Sequence, residues 1–157
     1  MRPRQGTLLA PLPGGWGDRV RDGAEMTDTT RKAHILVVDD DPNSREIVQT
    51  YLESRGYSVR TAANGEAALA AVQQGETPEL VLLDVMMPGM DGWEVARTLK
   101  DHADYADIRV VMMTARSDFS DKQKGLQAGA DDYLVKPIQL EDLGNTVKRN
   151  LEVRSRR

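Results

Sequence analysis

Apolar positions recur along this chain in two alternating rhythms. Ile35–Val38 is a short continuous apolar run, as expected of a strand covered on both faces. Asp41-Pro42 then opens a helical stretch, with Ile47, Val48, Tyr51 and Leu52 on one face and Gly56 as its stop. Tyr57–Ala62 predicts a second strand, and Asn64 caps an Ala-rich helix that runs to Gln74 before Gly75. Leu80–Leu83 is a third apolar strand, followed by the turn-rich Met87-Pro-Gly-Met-Asp-Gly92. Trp93–Lys100 reads as a helix with Val95, Ala96 and Leu99 facing inward. A fourth strand, Ile108–Met113, a fourth helix, Asp118–Ala128, and a short fifth strand, Tyr133–Val135, follow in turn. The last helix spans Leu140–Val153, with Leu140, Leu143, Val147 and Leu151 at helical spacing.

Five βα units in succession predict an α/β fold, a doubly wound parallel sheet of five strands with five helices on its two faces, its topology restricted by right-handed crossovers. In such sheets ligands gather beyond the carboxyl ends of the strands, at the topological switch point. Asp39, Asp40 and Asp41 follow the first strand, Asp84 the third, Thr114 the fourth, and Lys136-Pro137 the fifth. Each alone reads as a turn, cap or surface residue, but the fold brings them to one edge. Carboxylates that converge there are tolerable if a hard dication lies between them. Mg²⁺ fits, because it takes oxygen ligands, needs few carboxylates and keeps several waters. Lys136 offers a point charge and Thr114 a hydroxyl to phosphoryl oxygens, and one carboxylate can act as nucleophile to form an aspartyl phosphate. Asp41 is better read as the N-cap of the first helix, since Pro42 then takes the favoured first helical position.

Four motifs carry a resemblance. Val37-Val-Asp39-Asp40-Asp41-Pro42, Leu83-Asp84-Val-Met-Met-Pro88-Gly-Met-Asp-Gly92, Met113-Thr114-Ala115 and Gly129-Ala-Asp-Asp-Tyr133-Leu-Val-Lys136-Pro137 resemble the receiver domain of bacterial two-component response regulators. The resemblance covers about residues 33–153. It implies the flavodoxin-like strand order 2-1-3-4-5. It implies that Asp84 accepts a phosphoryl group from a histidine kinase or histidine phosphotransfer protein. It implies Mg²⁺ (or Mn²⁺) held by Asp39, Asp40, Asp84 and the Met86 backbone carbonyl, with Asp40 a direct ligand and Asp39 acting partly through water. Thr114 and Lys136 bind the phosphoryl oxygens, Thr114 and Tyr133 form the switch, and the bond before Pro137 is cis. Output to a downstream protein target passes through the surface of the fourth helix, fifth strand and fifth helix. Homodimerisation on phosphorylation through that face is a further expectation. Lys122 and Asp142 could form one cross-subunit pair there, although Gln127, Thr146 and Val153 stand where further charges are expected. Met86 and Arg116 flank the pocket and are expected to tune water access.

Composition narrows the field. The 157 residues suffice for one domain with a core, and cysteine is absent, which removes disulfides, thiol catalysis and cysteine-bound zinc. Two histidines, His34 and His102, make a histidine-based metal site improbable. Residues 34–147 carry 10 basic and 20 acidic side chains, an acidic body that argues against direct nucleic-acid binding. Residues 148–157 carry 5 basic and 1 acidic side chains, read as cations near the negative pole of the last helix. Few residues follow that helix, so the expectation is a stand-alone receiver without a DNA-binding domain. No apolar run approaches the roughly 20 residues that span a bilayer, and a cytoplasmic location without membrane contact is expected. Two other chemistries share some of these residues. A haloacid-dehalogenase-type phosphatase also uses Asp, Mg²⁺, Thr and Lys, but its nucleophile follows the first strand and its turn is Thr-rich, unlike Pro42-Asn43. A flavodoxin-like FMN binder needs a Ser/Thr/Gly phosphate loop that this chain lacks.

Residues 1–32 stand apart as an N-terminal arm, and residues 154–157 as a basic tail. Gly, Pro and Arg make up 12 of the first 25 residues, a composition without periodicity that predicts disorder. Met26 precedes the first strand closely and is the expected physiological start. The intact mass of the protein from its native host should therefore begin at Met26, and a species beginning at Met1 would overturn this.

Overall fold

The fold is given by a computed structural model that describes residues 32–115 and 129–155. Its strands are β1 (His34–Val38), β2 (Ser58–Ala62), β3 (Leu80–Asp84), β4 (Arg109–Ala115) and β5 (Asp132–Lys136). Helices α1 (Pro42–Ser54), α2 (Gly65–Gln73) and α3 (Gly92–Asp101) lie between them, and a C-terminal helix spans Leu140–Ser155. All strand pairs are parallel, in the order β2-β1-β3-β4-β5. The doubly wound arrangement anticipated from the apolar rhythm is the one found. The helix anticipated over 118–128, together with Arg116, Lys122 and Gln127, lies outside the described residues.

The continuous apolar runs are explained by two cores. Successive strand side chains point to opposite faces. Leu36, Val38, Val81 and Leu83 join Ala68, Val72, Val95, Ala96 and Leu99 of α2 and α3 on one face. Ile35, Val37, Leu80 and Leu82 join Val48 and Leu52 of α1 and Leu143 and Val147 of the C-terminal helix on the other. Two positions depart from the anticipated stripes. Ile47 is 57% exposed and Leu140 is 41% exposed, so neither belongs to the core. Ile47 stands next to the buried Val48 at the edge of the α1 stripe, and Leu140 opens its helix before the first buried turn.

Local chemistry sets the helix starts. The Asp41 carboxylate accepts from the Asn43 N–H (3.0 Å) and the Ser44 hydroxyl (3.1 Å), with Pro42 at the first helical position as anticipated. Asn64 accepts from the Ala67 N–H at 2.7 Å. Asp91 and Glu94 form a reciprocal capping box at α3, its spacing already present in the sequence.

Gly92 places the start of α3 hard against the end of β3. A Cβ at that position would collide with the Asp84 carbonyl oxygen and come within 2.9 Å of the Val85 Cα. Gly56, at φ +95°, has open space where its Cβ would stand. Gly92→Ala is therefore expected to cost about 3 kcal/mol of stability by overpacking, and Gly56→Ala about 1 kcal/mol from left-handed backbone alone. Urea melts of the two variants check this, and the reverse order would refute it.

Candidate functional site at the carboxyl edge of the sheet

Strand register assembles the site. The central strands β1 and β3 are neighbours, with Val38 opposite Leu83, so the residues that follow, Asp39 and Asp84, emerge side by side. Asp84 lies opposite Met113, which puts Thr114 one step beyond it on β4. Ala115 lies opposite Lys136 on β5. One oxygen from each of Asp39, Asp40 and Asp84 falls within 4.8 Å of the others. Asp39, Asp84 and Thr114 are buried, whereas Asp40 is exposed.

Lys136 reaches across this edge. Its Nζ lies 3.1 Å from Asp84 Oδ1 and 3.7 Å from Asp39 Oδ2. The Lys136–Pro137 peptide bond is cis, as the resemblance implied. The Met86 N–H points to Asp84 Oδ1 at 3.3 Å, while the Met86 side chain is 72% exposed at the lip of the pocket. Tyr133, opposite Met112 in the sheet, is partly buried against the core beneath α2 and α3. Burial raises the pKa of its phenol.

Two contacts were not visible in the sequence pattern. Arg45 Nη1 donates to the Asp39 carbonyl oxygen at 2.9 Å, and the Asp41 N–H donates to Asp39 Oδ1 at 2.9 Å. Arg45 sits four residues beyond the N-cap, on the first turn of α1. Nothing in its local sequence distinguishes it from a solvated helix residue.

The donors present suit a hard divalent cation. They are carboxylate oxygens clustered on one edge, two of them on nearly inaccessible residues, with no nitrogen or sulfur ligand among them. Such an acidic cluster is typical of a receiver Mg²⁺ site. Asp39, Asp40 and Asp84 are the residues that could hold it.

The electrostatics give a measurable sign. Burial raises the Asp84 pKa from 3.8 to about 6; the hydrogen bond and charge of Lys136 lower it, and Asp39 raises it further. Between those two values the folded, metal-free protein binds more protons at Asp84 than the unfolded chain does. Stability from this group is thus present at low pH and is lost as pH rises through about 6. The shift corresponds to no more than about 3 kcal/mol. In metal-free buffer, Asp84→Asn should remove this fall in stability between pH 4 and about 6. Chemical denaturation of the wild type and the variant across that range tests the expectation, and identical profiles would refute it.

Comparison with known proteins agrees with this geometry. The family model described as "Response regulator receiver domain" matches residues 35–148. The probable transcriptional regulator ycf27 of Cyanidium caldarium is 41% identical over 134 residues, covering 83% of this chain and 52% of that protein. The chain thus spans about half the length of the curated relatives it matches. A response regulator from Chloroflexus aurantiacus J-10-fl superposes with a TM-score of 0.74 at 36% identity, covering 78% of this chain and 99% of that one. The chemotaxis protein CheY4 of Vibrio cholerae does so with a TM-score of 0.71 at 36% identity, covering 75% of this chain and 98% of that one. With its sheet order, its acidic pocket and this match in hand, the chain belongs to the response regulator receiver family, whose members are phosphoacceptor signalling modules rather than conventional enzymes.

Proposed function

We propose that Asp84 is the phosphoacceptor and that the surrounding edge of the sheet is its phosphoryl-transfer site. The observation that carries this is the convergence of Asp39, Asp40 and Asp84 beneath the Lys136 ammonium. An Asp84 carboxylate oxygen attacks the phosphorus of a phosphohistidine on a histidine kinase or histidine phosphotransfer protein. The new P–O bond forms as the P–N bond breaks, and the imidazole, protonated at its other ring nitrogen in the phosphohistidine, takes the P–N electron pair and leaves neutral. Lys136, already 3.1 Å from Asp84 Oδ1, is placed to take one phosphoryl oxygen, and the buried Thr114 hydroxyl to take another. Asp39, Asp40, Asp84 and the Met86 carbonyl would hold Mg²⁺ or Mn²⁺. That ion, when bound, supplies charge neutralisation for the transferred group.

Signalling follows from the same parts. Once Thr114 is drawn toward the phosphoryl group, space opens beside β4, and Tyr133 on the neighbouring strand turns inward. The surface around β5 and the C-terminal helix then changes for a downstream protein target or a second copy. Among the described residues, no helix is long and apolar enough to cross a membrane. A cytoplasmic location and output by protein contact belong to the proposal.

Acetyl phosphate with Mg²⁺ should yield a single phosphoryl adduct by intact mass. The adduct should be absent without Mg²⁺ and absent in Asp84→Ala. An adduct that persists in Asp84→Ala would refute the assignment. Steady hydrolysis of acetyl phosphate with no accumulated adduct would favour the phosphatase chemistry instead.

A further inference from the structure

The peptides on either side of Asp40 are both held, and by different means. The carbonyl before it, on Asp39, accepts from Arg45 Nη1 at 2.9 Å. The N–H after it, on Asp41, donates to Asp39 Oδ1 at 2.9 Å. Asp39 itself is fixed at its own N–H by the Ala62 carbonyl (3.2 Å) and at Oδ2 by Lys136 (3.7 Å). Asp40 is the exposed member of the acidic trio. Its direction is therefore set by the backbone on which it stands. Arg45 is anchored in turn by α1, where its N–H bonds to the Asp41 carbonyl at 3.0 Å.

We propose that Arg45 is a positioning residue for cation binding: it fixes the Asp39–Asp40 peptide and thereby aims the Asp40 carboxylate into the site. This rests on the reading of Asp39, Asp40 and Asp84 as the cation site. Two effects of Arg45 oppose each other. Its positive charge repels a cation, whereas its hydrogen bond pre-orders the loop. The guanidinium is partly solvated, so its repulsion of a cation is screened. Pre-ordering wins, as it does where groups behind the metal ligands orient them.

The test is calorimetric titration of the full chain with MgCl₂. Arg45→Met keeps the apolar stem and removes donor and charge. It should weaken Mg²⁺ binding about tenfold, in the range seen when such supporting groups are lost. The thermal midpoint of the metal-free protein should move little. Arg45→Lys restores a charged donor and should recover most of the affinity, a rescue that a merely bulky role would not produce. Arg45→Ala serves on the same scale if Arg45→Met does not fold. Unchanged or tighter Mg²⁺ binding in Arg45→Met overturns the proposal while leaving the cation site intact. Failure of the wild type to bind Mg²⁺, or binding by Asp40→Ala and Asp84→Ala as tight as by the wild type, overturns the site reading itself.

Discussion

Asp39 and Asp84 stand side by side at the end of an apolar sheet, 2% and 3% exposed. Two anions in that position repel each other and are poorly solvated, and the rest of the edge is arranged around the problem. Lys136 bridges them from β5, and backbone N–H groups from Asp41 and Met86 each reach one of their oxygens. Even so, burial outweighs this help at Asp84 and holds its pKa near about 6. An edge that remains short of positive charge and offers three carboxylates suits a hard dication.

The opposite end of the sheet has the reverse character. Lys100 Nζ meets Asp131 Oδ2 at 2.7 Å and also donates to the carbonyls of Ala106 and Ile108. Arg109 contacts Asp131 at 3.4 Å and donates twice to Asn150 Oδ1. The buried Asn150 amide donates to Asp132 Oδ2 and to the Thr146 carbonyl. Burial works against an ionised Asp132, but Arg149, Asn150 and the Tyr133 N–H outweigh it and lower its pKa. Charges here are matched, so α3, β4, β5 and the C-terminal helix are tied together at their base. Arg149 is largely exposed, and its share of that tie is modest. A matched base and a charge-starved edge thus stand at the two ends of β5. Tyr133 lies next to the tied end, and Lys136 lies at the acidic one.

Legibility in the sequence followed the range of the physics involved. Strand and helix types were readable because each depends on period and on local caps: Asp41-Pro42, Asn64 and the glycine stops act within a few residues. The set Asp39, Asp40, Asp84, Thr114, Lys136 and Pro137 was also readable, because parallel βα topology sends every strand's carboxyl end to one edge. Ile47 and Leu140 were misplaced because helical spacing marks a stripe but not its width. How far that stripe extends is decided by the element it meets.

The sequence by itself determined the alternation of strands and helices and the identity of the chemical groups, since these follow from local periodicity and capping. Only the tertiary structure decided how those groups share charge. The 3.1 Å approach of Lys136 to Asp84, the hold of Arg45 on the Asp39 carbonyl and the hub at Asn150 join residues from separate elements. Their strength depends on distance and burial, and neither is fixed until the elements pack.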